Sequence, residues 1–322
     1  MYCPGCYKPV KTGYCLSCRR HLFNGARVSP VLDFDIPQAG DPYQEKIQRH
    51  SISGAQPKHS LQLDNKKLVL TGHAGQYILK PIPPAMLIKE AGEAPANEHL
   101  TMQIAARLFG INTAANGLVY FKNGTPAYIT RRFDVRPDGT RHLQEDMAQI
   151  SGRNRQINGE HFKYEGSYEE IGRLIRQHVA AYLPALETYF RLVLFNYLFS
   201  NGDAHLKNFS LIQSDEGDYW LSPAYDLMCT VLHTPNETDT ALSLFEGDIN
   251  TPFYETYGYF GRPHFEELAG RLGLLRGRAA TIIGILVSGD KRVEEMVQQS
   301  FLANHTKILY LAAYREKRSR FS

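Results

Sequence analysis

Apolar and polar positions alternate between residues 60 and 80: Leu61 and Leu63, then Leu68 and Leu70, then Tyr77 and Leu79, with turn signals at Asp64-Asn65 and Gly72 to Gly75. A period of two sends successive side chains to opposite faces, so the stretch predicts a small antiparallel sheet. From about Asn97 the period lengthens. Leu100, Ile104 and Leu108 share one helical face and Gly110 closes the helix. Residues 117–133 return to alternation around Asn123-Gly124, a hairpin turn. Beyond Phe133 the pattern is helical. Ser167 and Glu170 predict a capping box ahead of Ile171, Leu174 and Ile175. Leu186, Phe190, Val193, Leu194, Tyr197 and Leu198 mark an amphipathic helix that runs into Asn201-Gly202. Two short strands follow, Phe209 to Ile212 and Tyr219 to Leu221, and the remainder reads as helix, broken by a Gly/Tyr-rich patch at residues 247–262. Residues 22–48 are rich in Pro and Asp and predict a linker ending in a short helix. No internal repeat is present.

The layout is α+β, with a sheet-rich part preceding a helical part. Composition agrees: 322 residues, 43% hydrophobic and 21% charged, are enough for two lobes with a sizeable core and exclude wholesale disorder, collagen and coiled coil. The net charge of +3 announces no nucleic-acid binder, but it is unevenly spread. Residues 1–21 carry four Lys/Arg and no acid, residues 301–322 carry five and one Glu, and the chain between them is net −5. The run Tyr314 to Arg318 reads as a frayed helix end, where cations suit the dipole. The opening Met1-Tyr2-Cys3-Pro4 lacks the charged and apolar regions of a leader, and the longest apolar stretches fall short of the ~20 residues of a membrane helix. The expectation is a cytoplasmic protein with no membrane partner, in which thiols stay reduced.

Compartment decides how the cysteines read. Cys3, Cys6, Cys15 and Cys18 form two CxxC pairs in CPGCYKPVKTGYCLSC, a pattern that presents four thiolates to one tetrahedral ion. A structural Zn2+ site is predicted, with two disulfides or idle thiols as the alternative. Cys229 has no partner in sequence and reads as a small buried apolar residue.

The densest chemistry is NGDAHLKN, residues 201–208, at the end of the long amphipathic helix. Asp203 and Asn208 stand five apart on a loop, and Asp226 follows the next strand pair. Phosphoryl transfer needs an aspartate beside the attacking hydroxyl and two oxygen ligands for Mg2+, and protein kinases supply them in this order. Upstream, Lys80 ends a strand, where it could reach nucleotide phosphates, and Glu98 opens the next helix, where it could hold that lysine. Earlier still, SISGAQPK at residues 51–58 offers hydroxyls and backbone N–H groups for a phosphate. Each feature alone is ordinary. Their order is that of a kinase.

SISGAQPK, YILK, RRFD, QEDM (residues 144–147), NGDAHLKNFSL and PAYDLM resemble, in order, the motifs of the HipA-like serine/threonine kinases, toxin partners of bacterial toxin–antitoxin operons. The resemblance covers residues 50–310. It implies a bilobal kinase-like fold, ATP with Mg2+, Asp203 as catalytic base, and Asn208 and Asp226 as metal ligands. It further implies nucleotide contacts from Ser51, Ile52, Ser53, Gly54, Ala55, Gln56, Lys80, Glu98, Arg131, Phe133, His205, Lys207 and Tyr225. A serine of the SxxGAQ loop is itself phosphorylated in this family, which expels the loop and silences the enzyme, and Ser51 and Ser53 are the matching positions. The implied partners are a protein substrate such as an aminoacyl-tRNA synthetase and a DNA-binding antitoxin. Long members carry an N-terminal subdomain where this chain has 50 residues headed by cysteines, so a separate small protein is expected to supply it. Position 131 is often acidic in relatives, whereas Arg131 stands here.

The expected organisation is a zinc knuckle over residues 1–21, an N-lobe over 22–133 and a helical C-lobe over 134–322. The competing reading is a catalytically silent kinase-like scaffold that binds an antitoxin or nucleic acid through the knuckle and the basic ends. A small-molecule or lipid acceptor is a third, since fold alone does not fix the acceptor.

Overall fold

The computed structural model describes residues 1–35, 56–72, 75–136, 138–247 and 251–322. Residues 36–48 of the predicted linker, with its short helix, and residues 51–55 of the phosphate loop lie outside the described residues. The alternating segments form five antiparallel strands: β1 (His59–Asp64), β2 (Lys67–Leu70), β3 (Tyr77–Pro81), β4 (Asn116–Tyr120) and β5 (Pro126–Arg131). They pair in the order β2-β1-β3-β5-β4. Register puts Leu79 opposite Ile129 and Lys80 opposite Tyr128, so Leu79 faces the sheet's core while Lys80 faces the other way.

The cysteine segment packs onto this sheet. Cys3, Cys6 and Cys18 share one apolar cluster with Leu61, Leu79, Val119 and Ile129. Helix α1 (Leu16–Phe23) contributes Leu22 and Phe23 to the same cluster. Two hydrogen bonds stitch the segment to β4: the Tyr14 hydroxyl donates to the Leu118 carbonyl at 2.6 Å, and the Leu118 N–H donates to the Pro4 carbonyl at 2.9 Å. Gly5 is needed here, because a Cβ would lie 2.9 Å from both Cβ and Sγ of Cys18.

The helix predicted from Asn97 starts three residues earlier, as α2 (Ala94–Leu108), with Pro95 in its first turn where a missing N–H costs nothing. Every residue from Ala94 to Ala105 is buried, so the helix is covered on all sides, by β4 and β5 on one flank and by a C-terminal helix on the other. That enclosure makes it the strut between the two halves.

The second half holds α3 (Tyr168–His178), α4 (Tyr182–Leu198), α5 (Pro252–Tyr257), α6 (Arg262–Arg271), α7 (Arg276–Val287), α8 (Asp290–Gln299) and α9 (Asn304–Ser319). A small sheet of β6 (Gln144–Asp146), β7 (Ser210–Gln213) and β8 (Tyr219–Leu221) lies beside them in the order β6-β7-β8. Three residues are too few for a periodicity, which is why β6 carried no strand signal. Only half of the expected capping box forms: Ser167 Oγ accepts from the Glu170 N–H, while the Glu170 carboxylate pairs with Arg153. The Gly/Tyr patch contains helix α5, capped by Thr251 and stopped by Gly258 in the left-handed region.

Phe195 stacks on Phe199 at 4.3 Å and Phe199 on Tyr314 at 4.7 Å, joining α4 to α9. The C-terminus is therefore not frayed. Lys317 is buried against Asp239, and Arg320 bonds the same carboxylate and the Tyr197 hydroxyl. Sequence could not show this, because Asp239 lies 78 residues from Lys317. Cys229 is buried in the core, as expected. No described helix is long and apolar enough to cross a membrane.

Candidate active site

Helix α4 leads into the loop of residues 201–208. Its apolar residues are buried from Leu192 through Phe199, and Ser200, in the left-handed region at φ 50°, turns the chain into Asn201-Gly202-Asp203. Ala204 and Leu206 plug into the core, and the Tyr168 hydroxyl holds the Ala204 carbonyl at 3.0 Å. With those two side chains inward, Asp203 is left toward the cleft. Asn208 folds back, its Oδ1 accepting from the His205 N–H at 3.1 Å.

Across the cleft, β3 brings Lys80 and α2 brings Glu98, and their charges meet at 2.6 Å with side chains 5% and 1% exposed. Lys80 also bonds Asp226, which itself sits in the left-handed region at φ 56°. A non-glycine residue held there costs on the order of 1–3 kcal/mol, which the pairing with Lys80 offsets. Burial works against the Lys80 charge, but Asp226 and Glu98 outweigh it and raise its pKa. Burial pushes the Glu98 carboxyl up to about 7 against the pull of Lys80. Burial also opposes the Asp226 charge, yet Lys58 and Lys80 hold that carboxyl well below the ordinary range. Lys58 lies 3.6 Å from Asp226 Oδ2.

Lys80, Glu98, Asp203, Asn208, Asp226 and Gln56 line one cavity of about 300 Å3. Gln56 is anchored there, its Nε2 donating to the Pro81 carbonyl at 3.0 Å. A second cavity of about 650 Å3 adjoins it and is lined by Lys80, Asp226, Phe133, Tyr225 and the segment Thr130 to Asp134. Phe133 and Tyr225 face each other at 5.8 Å, and the Tyr225 hydroxyl donates to the Lys207 carbonyl at 2.8 Å. Lys207 Nζ reaches Asp146 Oδ2 at 2.9 Å, so it addresses β6 rather than the cavity. Arg131 also turns away: its guanidinium bonds Asn24 and the His21 carbonyl beside α1, leaving its backbone at the cavity wall. His205 is buried, and that burial, with Lys163 nearby, pulls its pKa down to about 3, so it is a neutral imidazole.

Three contributors carried no motif of their own. Tyr164 donates to Asp203 Oδ1 at 2.6 Å, and Lys163 Nζ lies 2.9 Å from His205 Nε2. Glu237 bonds Thr230 behind Gly202. All three reach the loop across 28 or more residues of chain or from loops, where no periodicity marks them.

Away from the cleft, ligand atoms of Cys3, Cys6, Cys15 and Cys18 lie within 4.8 Å of one another, and none of the cysteines is disulfide-bonded. Hydrogen bonds from Cys3 and Cys6, together with burial, push the Cys18 thiol far up. Four thiolates this close would repel one another, and a cation between them would relieve that repulsion. The cluster could hold a metal ion.

Comparison with known proteins bears on the family and the fold. The chain is 29% identical over 343 residues to a "Putative kinase" of Haemophilus influenzae, covering 98% of this chain and 96% of that one. It is 32% identical to "Putative kinase Y4dM" of Sinorhizobium fredii, over 61% of this chain and 48% of that longer protein. In structure it is similar to HipA of Shewanella oneidensis, solved with HipB and its operator DNA, with a TM-score of 0.63, 22% identity, and coverage of 88% of this chain and 66% of that one. The Helicobacter pylori proinflammatory kinase CtkA shares the fold at a TM-score of 0.54 and 12% identity, over 81% and 90% of the two chains. The family model of the HipA-like C-terminal domain matches residues 50–299, which include Lys80, Glu98, Asp203, Asn208 and Asp226. The chain belongs to the HipA-like kinase family.

Proposed function

We propose that the protein is an ATP- and Mg2+-dependent serine/threonine protein kinase of the HipA toxin type. The observation that carries this reading is Lys80 held between Glu98 and Asp226 in the cavity that Asp203 and Asn208 also line. Bound Mg2+-ATP would supply the phosphoryl group. Lys80 would hold its phosphates, Asn208 and Asp226 would hold the metal, and Phe133 and Tyr225 would flank the base end of the nucleotide. Asp203 accepts the proton of the acceptor hydroxyl. The neutral His205 imidazole and Gln56 supply polar contacts without adding charge.

Ser51 and Ser53 are the proposed autophosphorylation positions, with a translation component such as an aminoacyl-tRNA synthetase as the external target. The cysteine cluster is proposed to hold a structural Zn2+. The Shewanella HipA structure contains HipB and DNA, which favours a DNA-binding antitoxin as partner here, with a separate small protein completing the N-terminal side. The scaffold reading has less support, since every catalytic position is filled and the C-terminal cations Lys317 and Arg320 are consumed by Asp239.

Incubation with labelled ATP, Mg2+ and host lysate tests the reading, with Asp203→Asn in parallel. Label on Ser51 or Ser53 and on a host protein, seen only with the parent, is expected. Equal labelling by the variant would remove Asp203 from its role.

A further inference from the structure

Tyr164 ends a single 3-10 turn, Phe162–Tyr164, and its hydroxyl donates to Asp203 Oδ1 at 2.6 Å. Its ring meets the His205 imidazole edge-on at 5.2 Å, and Lys163 Nζ stands 5.0 Å over the same ring. Both residues of this turn thus address the catalytic loop. An acceptor hydroxyl about to lose its proton must make the bond that Tyr164 already makes, an O–H donated to the Asp203 carboxylate at hydrogen-bond distance. A phenol is a better donor than an aliphatic alcohol or water, so the incumbent is hard to displace by a casual competitor.

The segment that carries Tyr164 is built to move. Neither the one-turn helix Arg155–Asn158 nor the Phe162–Tyr164 turn buries a residue. Both ends of the segment are tied to one point, since Arg153 grips Glu170 with two hydrogen bonds at 2.8 and 3.0 Å and Ser167 caps the same helix. Phe162 packs against the core only from a half-buried position, so a strap pinned at its base swings at modest cost.

We propose that Tyr164 is a built-in occupant of the acceptor position, which an incoming serine or threonine hydroxyl must displace from Asp203. The proposal rests on the kinase reading of Asp203. Its consequence is that an unproductive acceptor, water, is kept from the base until a protein substrate moves the strap.

The test uses the full chain with Mg2+-ATP and water as the acceptor, reading ADP release for the parent, Tyr164→Phe and Asp203→Asn. Phenylalanine keeps the ring against His205 and removes only the hydroxyl. ADP release by Tyr164→Phe is expected to rise about tenfold or more in kcat, the equivalent of one charge-assisted hydrogen bond removed, with the KM for ATP and the thermal midpoint unchanged. A rate equal to or below the parent's would overturn the proposal, because Tyr164 would then merely position Asp203. Phosphate on Tyr164, found by mass spectrometry of the parent, would also overturn it, since the residue would be an acceptor itself. Asp203→Asn distinguishes the two levels: if it releases ADP as fast as the parent, the kinase reading fails as well.

Discussion

The ring of Tyr7, the residue after Cys6, lies 5.0 Å from the ring of His99, the residue after Glu98. Tyr7 is buried, adopts φ 61°, and also meets Phe301 from the C-terminal half at 5.4 Å. The cysteine segment therefore bears on the helix whose Glu98 holds Lys80. Removing the proposed metal with a chelator is expected to lower the thermal midpoint and to loosen α2, because metal binding free energy is folding free energy for so short a segment. Hydrogen exchange of the amides of residues 97–105 measures it. Protection there that is indifferent to the chelator would uncouple the two sites. Tyr7→Ala should mimic metal loss at a cost of ~3–5 kcal/mol.

Lys80→Met is expected to abolish phosphoryl transfer and also to destabilise the fold. Without the ammonium, the carboxylates of Glu98 and Asp226 are left facing each other in a buried site, and breaking such a pair costs ~3–5 kcal/mol. The double variant Lys80→Met with Glu98→Gln should recover part of the stability and none of the activity. Urea unfolding of both, beside a phosphoryl-transfer assay, separates the two effects.

What the sequence made legible follows from how each signal is written. The strands around Leu61 to Leu79 and the hairpin at Asn123-Gly124 are local periodicities, and they formed within a residue or two of expectation. Lys80, Glu98, Asp203, Asn208 and Asp226 were legible because a fixed order of motifs names them, and the fold brings them to one cavity. Arg131 was assigned by motif position, but its side chain answers to Asn24 across 107 residues. Tyr164 and Glu237 had no motif, and Lys317 read as part of a frayed helix end because its partner Asp239 is distant in sequence. Contacts made by long-range packing leave no pattern along the chain.

Glu237 gives a stability test with a defined sign. Burial raises its carboxyl, the Thr230 hydroxyl pulls the other way, and Asp203 adds to the rise, which ends at about 8. Hydrogen-bond accounting agrees. The Thr230 hydroxyl has one proton but lies against both the Ser200 carbonyl at 3.0 Å and Glu237, so a protonated Glu237 completes the set as donor. In the unfolded chain the same carboxyl ionises near 4.5. The folded state's stronger hold on the proton stabilises it fully below pH 4.5, and that gain is lost as pH rises toward 8. Glu237→Gln keeps a neutral donor at every pH. Its thermal midpoint relative to the parent should therefore climb by several degrees between pH 5 and pH 8, and a difference that stays constant or falls would place the charge elsewhere.

Gly202, next to Asp203, tests whether the loop behind the site positions the base. A Cβ on Gly202 would stand 2.5 Å from the Thr238 carbonyl and 2.6 Å from Glu237 Cδ, closer than real side chains approach. The first neighbour is backbone, so relief requires the 230–238 loop or the catalytic loop to shift. The Gly202 N–H also donates to Thr230 Oγ1 at 2.8 Å, the bond most directly strained by such a shift. Misplacing a base by about 1 Å costs on the order of a hundredfold in rate. Gly202→Ala is therefore expected to cut kcat by about that factor, while KM for ATP changes little because Lys80 is carried by β3 on the other side of the cleft. Gly124→Ala is the control. It sits at φ 85° in the distant hairpin with open space around it, so it should cost stability alone. Equal losses of kcat in the two variants would show that Gly202 matters only to folding.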